Sequence, residues 1–559
     1  MTSTQTRSED SSETAASGLD RLFGTADHKT IGRAWIGSGL LFLTAGLVLA
    51  AVAGLEAVDL GGFSITADAD QYTQVWSMGR NLVLVGGVVP ILIGLGTYLV
   101  PLQVGAPAIA FARGAAGAFW SWLLATGLLV LAYIVNGGPA GGRRDMVVLW
   151  VLSMGALLTA QLWALVILAT TVFAARTTGM TLDRTPATTW SFLVFSLIGV
   201  LGIPVTIAEL VLTYVRVEYQ ILPLDQMASL TGVMESMNLT PGIYWVAIPV
   251  LGMLVDVFSV HTGRPTGAHR LVLAVIGAFG FLAYNADFLG FASVRPKQFD
   301  HALLVLAIAA AVIPVLVMLG LGVANVRQGK PRFSASLVGA LVSLLVLLLG
   351  TVASILGLIE PIVLFADSIG ASDITGTLVL NGTAFHEGIR GLVIGGTLVG
   401  LITALVHWSA KIWGRRVNEA VAFGAVLATA AGALFWGLGG VLAGIDDQTA
   451  YPAVALTGGE NVEFSNLITL IGLVAVAVGG GLIALEVLRA AVGANKETEG
   501  SKNWSGLTLE WATESPPSPG NFATPPVVES ATPLADGSWS SEGAVAELTE
   551  VAEAEMETA

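Results

Sequence analysis

Val379–Gly396 reads VLNGTAFHEGIRGLVIGG, and it places an imidazole, a carboxylate and a guanidinium (His386, Glu387 and Arg390) within five residues where an apolar run begins. Such groups can move protons, hold an anion or ligate a metal. Glu387 and Arg390 are spaced i,i+3 and can pair on one helix face. Acids also interrupt other apolar runs at Glu209, Asp256 and Asp287. By insertion scales a charge at membrane depth costs about 2.5–3.5 kcal/mol, so each is a functional candidate by default. The blander reading puts Asp256 near the inner interface and Glu209 near the outer one. The chain has six histidines, His28, His261, His269, His301, His386 and His407, and no cysteine. Disulfides and Cys-ligated iron–sulfur clusters are thereby excluded within it. His407, at the inner end of its apolar run, reads as an interfacial residue.

The elements that must position these groups are membrane helices. The chain of 559 residues is 54% hydrophobic and 12% charged, with a mean hydropathy of +0.78; a soluble domain does not reach such values. Apolar runs long enough to cross a bilayer lie near 34–55, 82–103, 116–136, 150–174, 190–214, 243–260, 271–293, 302–324, 335–359, 389–410, 419–443 and 465–488, which predicts twelve helices. Most of the 25 Lys and Arg fall at one set of helix ends, from Arg7, Arg21, Lys29 and Arg33 before the first helix to Arg489, Lys496 and Lys502 after the last. The positive-inside rule then puts both termini in the cytoplasm. Glycines within the runs predict close helix packing. Trp35, Trp76, Trp120, Trp122, Trp408 and Trp413, at or near helix ends, read as an interfacial belt.

The formal net charge is −15, and most of it belongs to residues 497–559, with twelve acids and one Lys. Global charge therefore says little about a substrate. Four segments are expected: a disordered tail at 1–20, without the apolar stretch of a cleaved signal peptide; the membrane domain at 21–490; a cytoplasmic segment at 491–528; and an acidic disordered tail at 529–559. There is no obvious internal repeat, and nothing points to nucleic acid.

Four motifs are more specific. LFGTADHKTIG (Leu22–Gly32), YLVPLQVGAPAIAFAR (Tyr98–Arg113), GMTLDRTPATTWSFLVFS (Gly179–Ser196) and GLTLEWATESPPSPGNF (Gly506–Phe522) resemble, in order and separation, subunit I of the heme–copper oxidases. The resemblance covers about residues 20 to 525. It implies an all-α bundle of twelve transmembrane helices, two hemes and a copper ion, oxygen reduction with electrons from cytochrome c or quinol, and proton pumping. In that family six histidines hold the metals, because iron and copper take neutral nitrogen donors.

None of the six histidines here falls on a family ligand position. With Tyr98, Pro90 and Met78 in register, the helix II ligand position is Gly79, followed by Arg80. The family's His-Pro-Glu-Val-Tyr becomes Thr240–Tyr244, so Thr240 stands for a copper ligand and Gly242 for the proton-delivering Glu, while Tyr244 survives. The adjacent His pair of helix VII falls on Ala286 and Asp287, and the His-x-His of helix X on Gly388 and Arg390. His386 comes two residues early, about 200° round a helix, and so cannot replace Gly388. Met318 and Ala108 stand for proton-path residues, Leu380 and Asn381 for a magnesium-binding His-Asp, and Asp446 and Asp447 for an Arg pair at the heme propionates.

These substitutions predict no catalytic residue, no metal site and no heme or copper cofactor. Arg80, Glu387, Arg390 and His386 are expected to form a polar cluster in the volume a low-spin heme would take, either as a structural plug or as an anion or proton site. The favoured expectation is a non-catalytic structural or coupling subunit of a respiratory or other electron-transfer complex in a bacterial-type plasma membrane. Its partners would be membrane lipids and oxidase-type subunits. The rivals are a genuine terminal oxidase with aberrant heme ligation, and a proton or anion conduit through vacated heme cavities.

Overall fold

The computed structural model describes residues 24–58, 65–66, 69–138, 143–219, 242–284, 297–357, 380, 382–449, 462–493 and 506–540. Their helices, in chain order, are α1 (His28–Ala57), α2 (Ala69–Asn81, continuing through Leu82–Val88 and Val89–Gln103), α3 (Ala112–Ile134), α4 (Arg144–Ala174), α5 (Ala187–Glu218) and α6 (Ala247–Thr262). They continue as α7 (His269–Ala278, running on to Tyr284), α8 (Lys297–Gln328), α9 (Ala335–Leu356), α10 (Phe385–Trp413), α11 (Glu419–Ile445) and α12 (Val462–Ala491). Among the described residues eleven helices are long and apolar enough to span a membrane. The remaining apolar run, expected at 271–293, enters as α7 and continues outside the described residues, as do Thr240, Ala286 and Asp287.

α2, α6 and α10 are buried over the whole of their apolar windows, whereas α1, α8 and α12 expose most of theirs to the surroundings. An apolar sequence cannot signal this difference, because lipid-facing and core-facing positions both read as hydrophobic. Small residues decide which helices touch: a methyl group on Gly472 of α12 would lie 2.2 Å from the backbone nitrogen of Trp436 on α11. The tryptophan belt needs correction. Trp35, Trp122 and Trp408 are at most 1% exposed, and Trp35 and Trp122 pack ring against ring at 4.7 Å. Tryptophans near helix ends on a one-dimensional map can thus face the protein interior rather than lipid.

α2 makes a π turn over Leu82–Val88, directly before Pro90. Pro90 has no N–H and its ring would crowd a carbonyl of the preceding turn, which a wider turn relieves. The Val89 N–H reaches back to the Leu84 carbonyl, so the Val85 carbonyl loses its helical donor. Side chains from two neighbours supply one: Gln161 Nε2 of α4 donates to it at 2.7 Å and Trp122 Nε1 of α3 at 3.3 Å.

All four resemblance motifs meet at one end of the bundle. Residues 506–540 form a strap across it, ending in a short antiparallel pair, Val527–Val528 with Trp539–Ser540; the boundary expected at 528 falls inside this hairpin. Asn521 donates to the Ala106 carbonyl at 2.7 Å and accepts from Lys29 Nζ at 3.2 Å. Gln103 Nε2 donates to Glu510 at 2.9 Å, Lys411 Nζ donates to the Thr513 carbonyl at 2.8 Å, and the Val528 N–H donates to the Thr178 carbonyl at 3.2 Å. Glu510 is fully buried, and burial raises its carboxyl above the ordinary value of 4.5, with Gln103 and Lys411 opposing the shift.

Two outcomes are expected. Gln161→Leu leaves the buried Val85 carbonyl with only its longer bond, at a cost of about 1–3 kcal/mol, read as a lower melting temperature in detergent; an unchanged midpoint contradicts the account of the π turn. A carboxyl whose folded pKa is raised binds more protons folded than unfolded, so strap docking is strongest below pH 4.5 and weakens as pH rises above it. Amide exchange of residues 506–540 should show that slope in the wild type and lose it in Glu510→Gln.

Candidate functional site

Arg80 ends the first stretch of α2, and Glu387 and Arg390 lie in the first turn of α10 and just beyond it. The fold brings the three together. Arg80 Nη1 pairs with Glu387 Oε1, and Arg390 Nη1 lies 3.9 Å from Glu387 Oε2, so one carboxylate is shared by two guanidiniums. Both arginines are at most 5% exposed. Each also lies against an indole: the Arg80 guanidinium is 4.4 Å from the ring centre of Trp76, one turn earlier, and that of Arg390 is 5.6 Å from Trp436 on α11. The negative ring faces add to the carboxylate's attraction where water is scarce.

The group faces a cavity of about 110 Å³, lined also by Tyr72, Gln448, Thr449, Asn466 and Thr469. That is room for a few waters or one small ion. His386 does not line it. Its ring meets Phe385 edge-on at 6.0 Å and lies 3.8 Å from where a methyl on Gly357 would be, so it turns toward the end of α9. Glu209 also lies away from the cavity lining, part-exposed on α5. Asp446 is half-buried and Asp447 exposed where α11 ends, and neither lines the cavity. Trp76 and Trp436 were not legible as partners of the arginines. The i,i+4 spacing of Trp76 and Arg80 was the available signal; nothing in the apolar α11 sequence marks Trp436.

The residues at the described ligand positions do not fit a porphyrin. A Cβ on Gly79 would stand 3.1 Å from the Ala50 nitrogen and 3.3 Å from the Gly46 carbonyl of α1. One on Gly388 would stand 2.4 Å from the Val441 nitrogen and 2.6 Å from the Gly437 carbonyl of α11. Both glycines serve as close helix contacts: a Cβ on Gly388 would overlap α11 backbone, and one on Gly79 would press on α1. Arg390 offers iron no lone pair, since its guanidinium stays protonated. A cavity of about 110 Å³ is also well below the roughly 300–1,000 Å³ of ordinary ligand pockets. Among the described residues no group of three or more His, Cys, Asp or Glu could hold a metal ion.

At the strap end, Asp256 of α6 is 8% exposed. Its Oδ2 accepts from Thr188 Oγ1 at 2.6 Å and from Gln103 Nε2 at 3.3 Å, and Gln103 Oε1 accepts from Thr189 at 2.7 Å. Asp256 is thus near a membrane face but covered, because the strap lies over it. His407 is fully buried where the strap covers α10, its ring 5.5 Å from that of Trp511. Its Nδ1 lies 3.1 Å from Nε2 of His261, whose Nδ1 lies 2.9 Å from the Ser334 hydroxyl. Tyr244, also buried, bonds Ser354 at 2.5 Å, and Met318 is buried in the apolar core.

An all-α membrane bundle with this helix order and a strap over one end defines the class. The family model described as Cytochrome C and Quinol oxidase polypeptide I matches residues 30–476, and the chain belongs to that family. Cytochrome c oxidase subunit 1 of Thermostichus vulcanus is 25% identical over 529 residues, with 90% of each chain covered. Quinol oxidase subunit 1 of Bacillus subtilis strain 168 is 24% identical, covering 90% of this chain and 78% of its own. A solved heme–copper terminal oxidase dimer shares the fold, with a TM-score of 0.61 at 10% identity over 84% of this chain and 85% of that one. The protein is an oxidase subunit I-like polytopic membrane protein.

Removing the shared carboxylate tests the cluster. Glu387→Gln leaves two buried guanidiniums without it and should cost about 3–5 kcal/mol. The triple change R80M/E387M/R390M removes every charge at once and should recover most of that loss. Equal melting temperatures for wild type and Glu387→Gln would show that the pair does not hold the helices.

Proposed function

We propose that the chain is a ligand-depleted, non-catalytic member of the oxidase subunit I family, acting as a structural or coupling subunit of a respiratory or other electron-transfer complex. The observation that carries this reading is the backbone contact at Gly79 and Gly388: the positions that would hold iron instead let α1 approach α2 and α11 approach α10. The Arg80–Glu387–Arg390 group is then a plug, its charges answered within the bundle. The strap end, by contrast, keeps the motifs through which the chain resembles active relatives, which supports assembly with oxidase-type subunits. The proposed setting is a bacterial-type plasma membrane, multi-pass, with both termini cytoplasmic and membrane lipids around it.

A terminal oxidase with aberrant ligation is the enzymatic alternative, and family membership is what favours it. A conduit is less well supported. The cavity between α1, α10 and α12 measures about 10 Å³ and is walled mainly by leucine and isoleucine, at the lower limit for a single water.

Full-length protein purified from native membranes should show no Soret band and no stoichiometric iron or copper by elemental analysis. Gly79→His should not create heme binding, since even its Cβ would press on α1 at 3.1 Å from the Ala50 nitrogen. One heme per chain in the wild type would overturn the proposal and favour the oxidase.

A further inference from the structure

At the strap end, the loop after α6 and the loop after α8 enclose a second recess, of about 400 Å³. Arg264 comes from the first loop, and Lys330 and Arg332 from the second; Thr262 and Gln328 complete the polar wall, and no acid lines it. The loops are tied by main-chain bonds, from the Lys330 N–H to the Thr262 carbonyl and from the Arg332 N–H to the His261 carbonyl, each 2.9 Å. Gly329 permits that approach, since a methyl there would lie 2.7 Å from the Thr262 carbonyl. Asn325 adds a bond to Thr266 at 2.7 Å.

Three cations are therefore held around one recess by a fixed backbone. Among the described residues none of the three has a carboxylate within ion-pair distance. Glu419, at the same end, accepts the Ala335 N–H at 2.6 Å. Asp256 is enclosed by Thr188 and Gln103. Like charges around a shared recess repel one another, so an anion carrying several acceptor oxygens would relieve them. Phe333, next to Arg332, is 69% exposed, an aromatic ring beside the cations as at a membrane–water interface.

We propose that this recess binds a phosphate-bearing anion, met in the membrane as the headgroup of an anionic phospholipid. Arg264 and Arg332 supply planar donors to the phosphate oxygens and Lys330 a third positive charge. The phosphate lies between the two loops and the acyl chains run past Phe333. The site is independent of the charged cavity and of the role proposed for it. The competing account is that these cations only complement the carbonyl ends of α6 and α8.

The test compares full-length wild type with R264Q/K330Q/R332Q and with R113Q/R184Q/R270Q, which removes the same charge elsewhere on the same end. Each purified protein is titrated with phosphatidylglycerol or phosphatidylcholine and bound lipid is counted by native mass spectrometry; melting temperatures verify folding. Wild type and R113Q/R184Q/R270Q should prefer phosphatidylglycerol, and R264Q/K330Q/R332Q should lose roughly tenfold or more of that preference. The single variants R264Q and K330Q should each lose part of it, which keeps the test open if the triple variant does not fold. Saturable binding of inorganic phosphate to delipidated protein, lost in the triple variant without any lipid preference in the wild type, would assign the recess to free phosphate. Equal behaviour of the two triple variants toward both probes would overturn the proposal.

Discussion

A charge inside a membrane bundle has to be answered from within it, because neither lipid nor bulk water will do so. The Arg80–Glu387–Arg390 group is where this chain meets that constraint, and the helices around it are arranged accordingly. α2 brings Arg80 with its own indole, Trp76; α10 brings the carboxylate and the second guanidinium; α11 closes over Arg390 with Trp436. Three helices are thus fixed at one height by a few polar atoms.

Gly79 and Gly388 mark two close contacts between helices. At both, the missing Cβ is what allows neighbouring backbones to come so close. Arg80, next to Gly79, and Arg390, two residues after Gly388, both pair with Glu387.

The opposite end follows a different logic. Gln103, Asn521, Lys29, Lys411 and Glu510 join α1, α2, α10 and the strap through buried amides, main-chain carbonyls and charges. Altering one member strands the others in a poorly hydrated place. Such a network changes as a whole or not at all, whereas a helix interior accepts apolar and glycine substitutions one at a time.

The order of the apolar helices and the family resemblance were legible in the sequence alone, because hydropathy and residue type are local properties. So was the pairing of Glu387 with Arg390, which needs only helical spacing. Partners that lie far apart in the chain were decided by the tertiary structure: Trp436 beside Arg390, His407 beside His261, and Gln161 on the Val85 carbonyl. Burial was decided there too. Trp35, Trp122 and Trp408 have the sequence context of interfacial residues, and only the packing of whole helices places them inside. In a membrane protein apolarity marks lipid-facing and core-facing surfaces alike, so a side chain's depth becomes known only when its neighbours are in place.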